Sequence, residues 1–269
     1  NIHDLIEAKR WDDAEAQLEA QSPQARPRFE GLIAQGRGQS AAAAEAFERA
    51  LQATPNVPQL HLHAAHAYFK LTQFEDVLRH AQAAKALRDT AVAQPLLEAR
   101  ALEGLHRDAE AYAVLHRACN TYENQFRPCL ELAALAHDKK LAHDVRRIAR
   151  RVLALKPNRE ASLVLFHLLY GDSEAISILE QIAAGYPKDA EMKALLAHIY
   201  ADQDRWFSAA RLFEEASRIS GKYAFEAADQ YRMVGRYRNA LRMNGRVTAS
   251  EAQRAQRLSI LFEQKRYAR

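Results

Sequence analysis

The chain has 269 residues, of which 48% are hydrophobic and 27% are charged, a composition typical of folded globular proteins. Its 9 Gly and 8 Pro argue against many tight turns and strands, and the sequence shows no apolar run of about 18 residues that would cross a bilayer. The formal charge is +4, yet residues 221–269 hold 11 Lys and Arg against 4 Asp and Glu. This basic segment is either a solvated helix face or a docking surface for an acidic partner.

One pattern of small and large residues recurs along the chain. In the stretch that begins at Gln24, Gly31 stands at position 8, Ala43 at position 20, Phe47 at position 24 and Pro55 at position 32. The same pattern, with a period of about 34 residues, predicts repeats at 1–23 (partial), 24–57, 58–91, 92–125, 126–159, 160–189, 190–220, 221–250 and 251–269 (partial).

The residue types predict a pair of antiparallel helices in each repeat. Small residues suit the places where helix backbones approach closely, and large residues fill the gaps beside them. Proline ends the second helix, because it has no N–H and clashes with the preceding turn. A lone helix pair cannot bury its apolar face, so the repeats must stack. The repeat 160–189 is about four residues short, which predicts a bend or a shortened helix there.

Both ends of the chain match only part of a repeat. Trp11 and Ala14 stand at positions 17 and 20, while residues 258–269 match a first helix and its turn, with Tyr267 at position 17. We therefore expect the chain to be a segment of a longer solenoid, with self-association through its truncated ends as a further expectation. A true terminus with a degenerate capping helix is the alternative, and at the N-terminus the two are equally favoured.

The repeat resembles that of tetratricopeptide-repeat proteins over nearly the whole chain. This resemblance implies an all-α, right-handed superhelical solenoid, whose first helices line a concave groove that binds a peptide or a helix of a partner protein. Positions 2, 5, 9, 12 and 13 of the first helices are expected to face that groove. They give the predicted groove residues Leu62, His66, Phe69, Lys70, Leu96, Arg100, Glu103, Leu130, His137, His198, Asp202, Phe225, Asp229 and Arg232.

A second resemblance covers residues 224–269. The stretch EAADQYRMVGRYRNALRMNGRV, followed by QRLSILFEQKRY, is similar to the repeat proteins that accompany bacterial TonB–ExbB–ExbD systems. That family implies a periplasmic scaffold in an envelope assembly or transport system; a cytoplasmic location is the alternative.

Repeat domains that bind the C-terminal carboxylates of chaperones use Lys and Asn at set positions of successive first helices. Arg28, Leu32 and His63 stand at the first three of these positions here, and Ala93 and Leu97 at the last two. The asparagine network is absent, which argues against a chaperone-tail adaptor of that kind.

Two cysteines, Cys119 and Cys129, end a second helix and begin the next first helix, so they are expected to lie near one another. Two buried thiols, a disulfide in an oxidising compartment, or a metal site with His116 remain open. His61, His63 and His66 lack the spacing of zinc ligands on one helix face and are interpreted as ordinary surface histidines.

The basic run at 137–151 suggests a stripe that would bind phosphates. Aromatic residues are not interleaved with it, and Asp138 and Asp144 interrupt it, so a solvated face is the better interpretation. Its cations are Lys139, Lys140, Arg146, Arg147, Arg150 and Arg151.

The sequence shows no Gly-rich phosphate loop and no catalytic constellation. It therefore predicts a non-enzymatic interaction scaffold that binds a protein or peptide, without cofactor, metal, nucleic acid or direct membrane insertion. A regulatory repeat array attached to a catalytic or membrane module outside this chain is the alternative. Helical repeats that read RNA base by base rank third, because their fixed pair of polar side chains per repeat is not visible.

Overall fold

Helices of about a dozen residues, joined by short turns, build the structure, a computed structural model that describes residues 1–88 and 91–267. Within these residues there is no strand, and the all-α class predicted from the sequence is confirmed. No helix among them is both long enough and apolar enough to cross a membrane. Residues 89–90 of the predicted repeat 58–91, and residues 268–269 of the last partial repeat, lie outside the described part.

The chain divides into two compact units. The N-terminal unit comprises Asn1–Leu135, and its consecutive helices up to Thr121 pack against one another. Its helices are α1 (Ile2–Glu7), α2 (Trp11–Ala16), α3 (Arg26–Gly36), α4 (Ser40–Ala53), α5 (Pro58–Lys70), α6 (Phe74–Ala86), α7 (Ala93–Gly104), α8 (Asp108–Thr121) and most of α9 (Arg127–Asp138).

The C-terminal unit comprises Ala136–Arg269. Here too, consecutive helices pack as neighbours, together with short 3-10 turns at Ser173–Ala175 and Gly221–Tyr223. Its helices are α10 (Ala142–Ala154), α11 (Arg159–Leu168), α12 (Ile176–Gly185), α13 (Ala190–Asp202), α14 (Trp206–Ile219), α15 (Ala224–Met233), α16 (Tyr237–Asn244) and α17 (Glu251–Tyr267). Each first helix of a repeat, from α3 to α17, begins within three residues of the start that the repeat pattern predicts.

The packing inside a helix pair explains the alternation of small and large residues. A Cβ added to Gly31 on α3 would lie 2.6 Å from the Phe47 ring on α4, so the ring occupies the place of the missing side chain. Phe47 is fully buried, as are Ala43 and Ala50 on the same helix. Burying such an aromatic side chain contributes about 1.5–3 kcal/mol. In the C-terminal unit, Phe213 is likewise fully buried among alanines.

The turn between the two helices recurs with the repeat as well. Position 15 has a left-handed backbone, with φ between 57° and 76°, which closes the end of the first helix. Only two of these residues are glycine, so composition gives little sign of the turn. They are Gly38, Thr72, His106, Lys140, Asp204 and Gly235.

The short repeat 160–189 has shortened helices, as the sequence predicts. Both α11 and α12 have 10 residues, whereas α13 and α14 have 13 and 14. The left-handed residue is Gly171, at position 12 instead of position 15. The shortening therefore begins in the first helix, before the turn.

At the end of the chain the sequence prediction is wrong in one respect. The pattern places a turn before Tyr267, but α17 continues as a helix through that residue. Continued hydrogen bonding of the helix backbone outweighs the weak turn signal in this stretch, which contains neither Gly nor Pro.

One hydrogen bond between successive repeats occurs at three places in the described part of the chain. A tyrosine at position 11 of a first helix donates its hydroxyl to a glutamate on the second helix of the preceding repeat. The Oη–Oε distance is 3.1 Å for Tyr68–Glu48 and 2.6 Å for Tyr231–Glu214, and Tyr200 donates to Glu180 in the same way. Burial, and then the adjacent carboxylate, raises the pKa of Tyr68 and of Tyr231 to about 12.

We expect Tyr231→Phe to lower the free energy of unfolding by about 1–2 kcal/mol, because it removes a hydrogen bond to a buried carboxylate. Tyr170→Phe is the matched control: its hydroxyl donates to Asp202 at 2.8 Å, but the side chain is 44% exposed, so the loss should stay within about 0.5 kcal/mol. Urea unfolding of both variants measures the difference. Equal losses would show that burial of this bond is unimportant.

Candidate binding face on the first helices

Side chains of successive first helices meet on one face of the N-terminal unit. Gln35 on α3 contacts both histidines of α5: its Oε1 lies 3.1 Å from His63 Nδ1, and its Nε2 lies 3.0 Å from His66 Nδ1. The guanidinium carbon of Arg100 on α7 lies 5.8 Å from the centre of the Phe69 ring on α5, within the range of a cation–π contact. Three first helices thus contribute to one surface.

Arg100 also links α7 to the following first helix. Its Nη2 lies 2.5 Å from Glu131 Oε1 on α9, and both side chains are about one-third exposed. Phe69 packs in turn against the Phe74 ring at 6.3 Å, edge to face. Arg100 and Phe69 are therefore held in place by neighbours and are still accessible.

The other predicted groove residues of this unit divide by position. His66 and Lys70 are exposed, and Glu103 and Leu130 are half-buried. Leu62 and Leu96, by contrast, are 8% and 5% exposed, so these two predicted groove residues are buried and offer little surface to a ligand. Both stand at position 5 near the start of a first helix, where neighbouring helices cover the side chain.

Three residues of this face were absent from the prediction. Arg28 and Gln35 occupy positions 5 and 12 of repeat 24–57, so the positional rule that selects Phe69 selects them as well. His63 is at position 6, beside the predicted face, and only its contact with Gln35 places it there. The structure also corrects the interpretation of the histidines as ordinary surface residues, because His61 and His63 are half-buried.

The electrostatics of this face are repulsive. Burial, followed by the positive charge of Arg28 and of His66, lowers the pKa of His63. Burial, followed by the charges of Lys70 and Arg100, lowers the pKa of His66. Like charges disfavour protonation, so both imidazoles are neutral near pH 7.

In the C-terminal unit the predicted groove residues mostly have partners within that unit. Asp229 and Glu263 both bind Arg232, at 2.8 and 2.7 Å. Asp202 accepts from Tyr170. Half-buried Phe225 accepts a hydrogen bond at its carbonyl from Gln256, and exposed His198 lies edge-on to the Phe213 ring at 4.8 Å.

His137, the last predicted groove residue, is exposed and belongs to the C-terminal unit. It borders an open cleft of about 610 Å³ between the end of α9, the start of α10 and the turn after α11. The prediction that it shares one surface with Phe69 and Arg100 stays a prediction. Polar residues around the cleft are His137, Asp138, Lys140, Tyr170, Asp172 and Ser173.

Cys119 on α8 and Cys129 on α9 form a disulfide, with their Cα atoms 4.6 Å apart. Both cysteines are buried. Of the three alternatives that the sequence left open, the structure contains the disulfide, and this bond leaves neither sulfur free to bind a metal with His116. Within the described ranges, no group of three His, Cys, Asp or Glu side chains is placed to hold a metal ion.

Two arginines of the basic run, both on α10, pair with acids of their own unit. Arg146 binds Asp172 at 2.6 Å and Glu174 at 2.7 Å, and Arg147 binds Asp144 at 2.8 Å. These ion pairs favour the solvated face over a phosphate-binding stripe. That the chain does not bind nucleic acid stays a prediction.

No family model matches this sequence, and a comparison with curated protein sequences finds no match either. Solved structures are similar in fold. The C-terminal part of a TPR repeat-containing protein from Cytophaga hutchinsonii is 13% identical, with a TM-score of 0.61 over 84% of this chain and 97% of that one. PilF of Pseudomonas aeruginosa is 18% identical, with a TM-score of 0.53 over 74% of this chain and 92% of that one.

A chain of the APC/C hetero-tetramer Cut9–Hcn1 is 16% identical, with a TM-score of 0.54. The alignment covers 85% of the present chain but only 47% of that one. These likenesses, together with the packed helix pairs, establish that the fold is that of tetratricopeptide-repeat proteins, as the sequence predicts.

Proposed function

We propose that this protein is a non-enzymatic interaction scaffold, and that a peptide or helix of a partner protein binds across its first helices. One observation carries the proposal: in the N-terminal unit, the contacts Gln35–His66, Phe69–Arg100 and Arg100–Glu131 join four successive first helices into one accessible surface. An extended or helical ligand fits such a row of side chains. The predicted groove residues that are accessible are the proposed contacts.

A location in an oxidising compartment, the bacterial periplasm above all, is the finer part of the proposal. The disulfide Cys119–Cys129 supports it, since disulfides persist in such compartments and are rare in the cytosol. The similarity of residues 224–269 to repeat proteins of TonB–ExbB–ExbD systems points the same way.

Changing Phe69 or Arg100 to alanine is expected to cost about 1–3 kcal/mol of partner binding, because interface energy concentrates in aromatic and arginine anchors. A partner is first recovered from the native organism with the tagged chain, and its Kd is then measured for each variant. Arg117→Ala, on the second helix α8 of the same unit, and Arg147→Ala on α10 are the controls. Both side chains are exposed, and both changes should leave binding unaltered.

The opposite pattern would place the binding site elsewhere. If Arg117→Ala or Arg147→Ala abolishes binding while Phe69→Ala and Arg100→Ala leave it intact, the partner binds the second helices and the proposed face is wrong.

A further inference from the structure

Five cations and imidazoles lie together on the binding face of the N-terminal unit. We refer to Arg28 on α3, His63, His66 and Lys70 on α5, and Arg100 on α7 as the cationic face. The lowered pKa values of its two histidines each have neighbouring positive charges among their causes, and no carboxylate appears among those causes. Gln35 bridges α3 to α5 at this point, so the side chains belong to one built surface.

Two of these charges have no counterion among the described residues. Arg28 and Lys70 are exposed, and neither forms an ion pair with a described residue. Arg100 is paired with Glu131, so the unpaired positive charge lies on α3 and α5. Exposed cations gathered without acids repel one another, so this arrangement gains stability when an anion arrives.

The first-helix face of the C-terminal unit is different. Arg232 is held by Asp229 and Glu263, and Arg159 is held by Asp189 and Glu191. Its arginines at these places already have their carboxylates. At these two places the positive charge is already neutralised, in contrast to Arg28 and Lys70 on the cationic face.

We propose that the cationic face binds an acidic segment of a partner protein, with carboxylates at Arg28 and Lys70 and an apolar side chain on Phe69. The inference rests on the proposed function and names the chemistry of its ligand. A peptide fits better than a nucleic acid, because Glu131 borders the face at Arg100 and would repel a continuous phosphate backbone. A peptide can instead place neutral residues there. Phe69 also offers one aromatic ring, whereas single strands use a series of stacking platforms.

The histidines give this binding a pH signature. His63 and His66 are neutral near pH 7 because of burial and the charges of Arg28, Lys70 and Arg100 around them. A bound carboxylate favours their protonated forms. The affinity for an acidic segment should therefore rise as the pH falls from about 7.5 to 5.5, which still lies above the pKa of the peptide carboxylates.

The test uses a short labelled peptide in which Glu and Asp surround a central Phe. Its binding to the full chain is measured by fluorescence anisotropy. Its isosteric analogue carries Gln and Asn instead. We expect the acidic peptide to bind at least about 10-fold more tightly than the analogue, and to weaken several-fold when salt rises from about 0.05 to 0.3 M. The double variant Arg28→Glu/Lys70→Glu should lose at least about 10-fold, and Arg117→Glu less than about 2-fold. Circular dichroism melting shows that each variant is folded.

Equal affinity for the acidic peptide and its analogue would overturn the proposal, as would an unchanged Kd in Arg28→Glu/Lys70→Glu. Tighter binding of a single-stranded RNA of the same length, lost in that variant, would assign the face to nucleic acid instead. The experiments distinguish a failure of the acidic-ligand proposal from a failure of the proposed function. If Phe69→Ala abolishes binding of the native partner and Arg28→Glu/Lys70→Glu does not, the binding face is retained and its acidic ligand is rejected. If the acidic peptide binds through Arg28 and Lys70, but the affinity of the native partner does not depend on Phe69 and Arg100, only the proposed function is rejected.

Discussion

Replacing Phe213 by alanine is expected to lower the free energy of unfolding of the C-terminal unit by about 3–5 kcal/mol. The ring is fully buried in a cluster of alanines that includes Ala194, Ala197 and Ala216. Alanine side chains are short and are fixed to helix backbones, so they cannot move into the space that the ring leaves. A cavity should therefore remain, and the cost should lie at the upper end for such changes.

Phe207 on the same helix provides the matched control. Its side chain is 48% exposed, and its contact with the Arg236 guanidinium, 5.9 Å from the ring centre, is worth about 1 kcal/mol at most. Urea unfolding should thus separate Phe213→Ala from Phe207→Ala by several kcal/mol. Similar losses in both variants would contradict the packing described for α14.

The position of the helices that Phe213→Ala destabilises provides a second measurement. In repeat arrays, each repeat contacts only its neighbours, and stability is close to a sum of local terms. Hydrogen exchange in Phe213→Ala should accelerate most in α13, α14 and α15, which pack together, and least in the N-terminal unit.

The sequence predicts the helix pairs because their packing is locally determined. Gly31 and Phe47 are 16 positions apart in one repeat, and the ring of one fills the space that the other leaves open. Requirements of this kind, a small residue beside a large ring, also arise at Gly36 with Trp11 and at Gly104 with Phe74, and each one marks the sequence. The shortened repeat was predictable for the same reason, since four missing residues must be taken from a helix or a turn.

The interactions between repeats were harder to predict, because they depend on a register that one residue type does not reveal. Glu48 and Glu214 both stand at position 25 and accept from a tyrosine at position 11 of the next repeat. Glu180 stands at position 21, four earlier, in agreement with the four residues missing from its repeat. This regularity is visible only when the helices are placed side by side.

The residues of the candidate site were predicted from their positions in the repeat. The prediction failed where residues at the same position differ in burial. Leu62 and Leu96 share position 5 with Arg28, yet the leucines are covered and the arginine is exposed. Ion pairing cannot be read from the sequence: Arg100 and Lys70 were equivalent predicted groove cations. Among the described residues, the structure gives a counterion to Arg100 and none to Lys70.

Removal of the disulfide should have the next largest effect. We expect the double variant Cys119→Ala/Cys129→Ala to unfold with a free energy about 2–4 kcal/mol lower than the oxidised protein, because the bond restricts the unfolded chain across the turn between α8 and α9. Dithiothreitol should destabilise the wild type by a similar amount and leave the double variant unchanged. This second comparison is the control, since it separates the bond from the change in side-chain volume.

Thiol titration of protein isolated from its native compartment completes the test. Under denaturant and without reductant, we expect no titratable thiol, since both cysteines are engaged in the one bond. Two titratable thiols would show that the bond does not form in the cell, even though the sulfurs are placed for it. That result would contradict the disulfide, and it would remove the structural support for an oxidising compartment. It would leave the binding face intact, because Phe69, Arg100 and Lys70 lie on α5 and α7, whereas the disulfide joins α8 to α9.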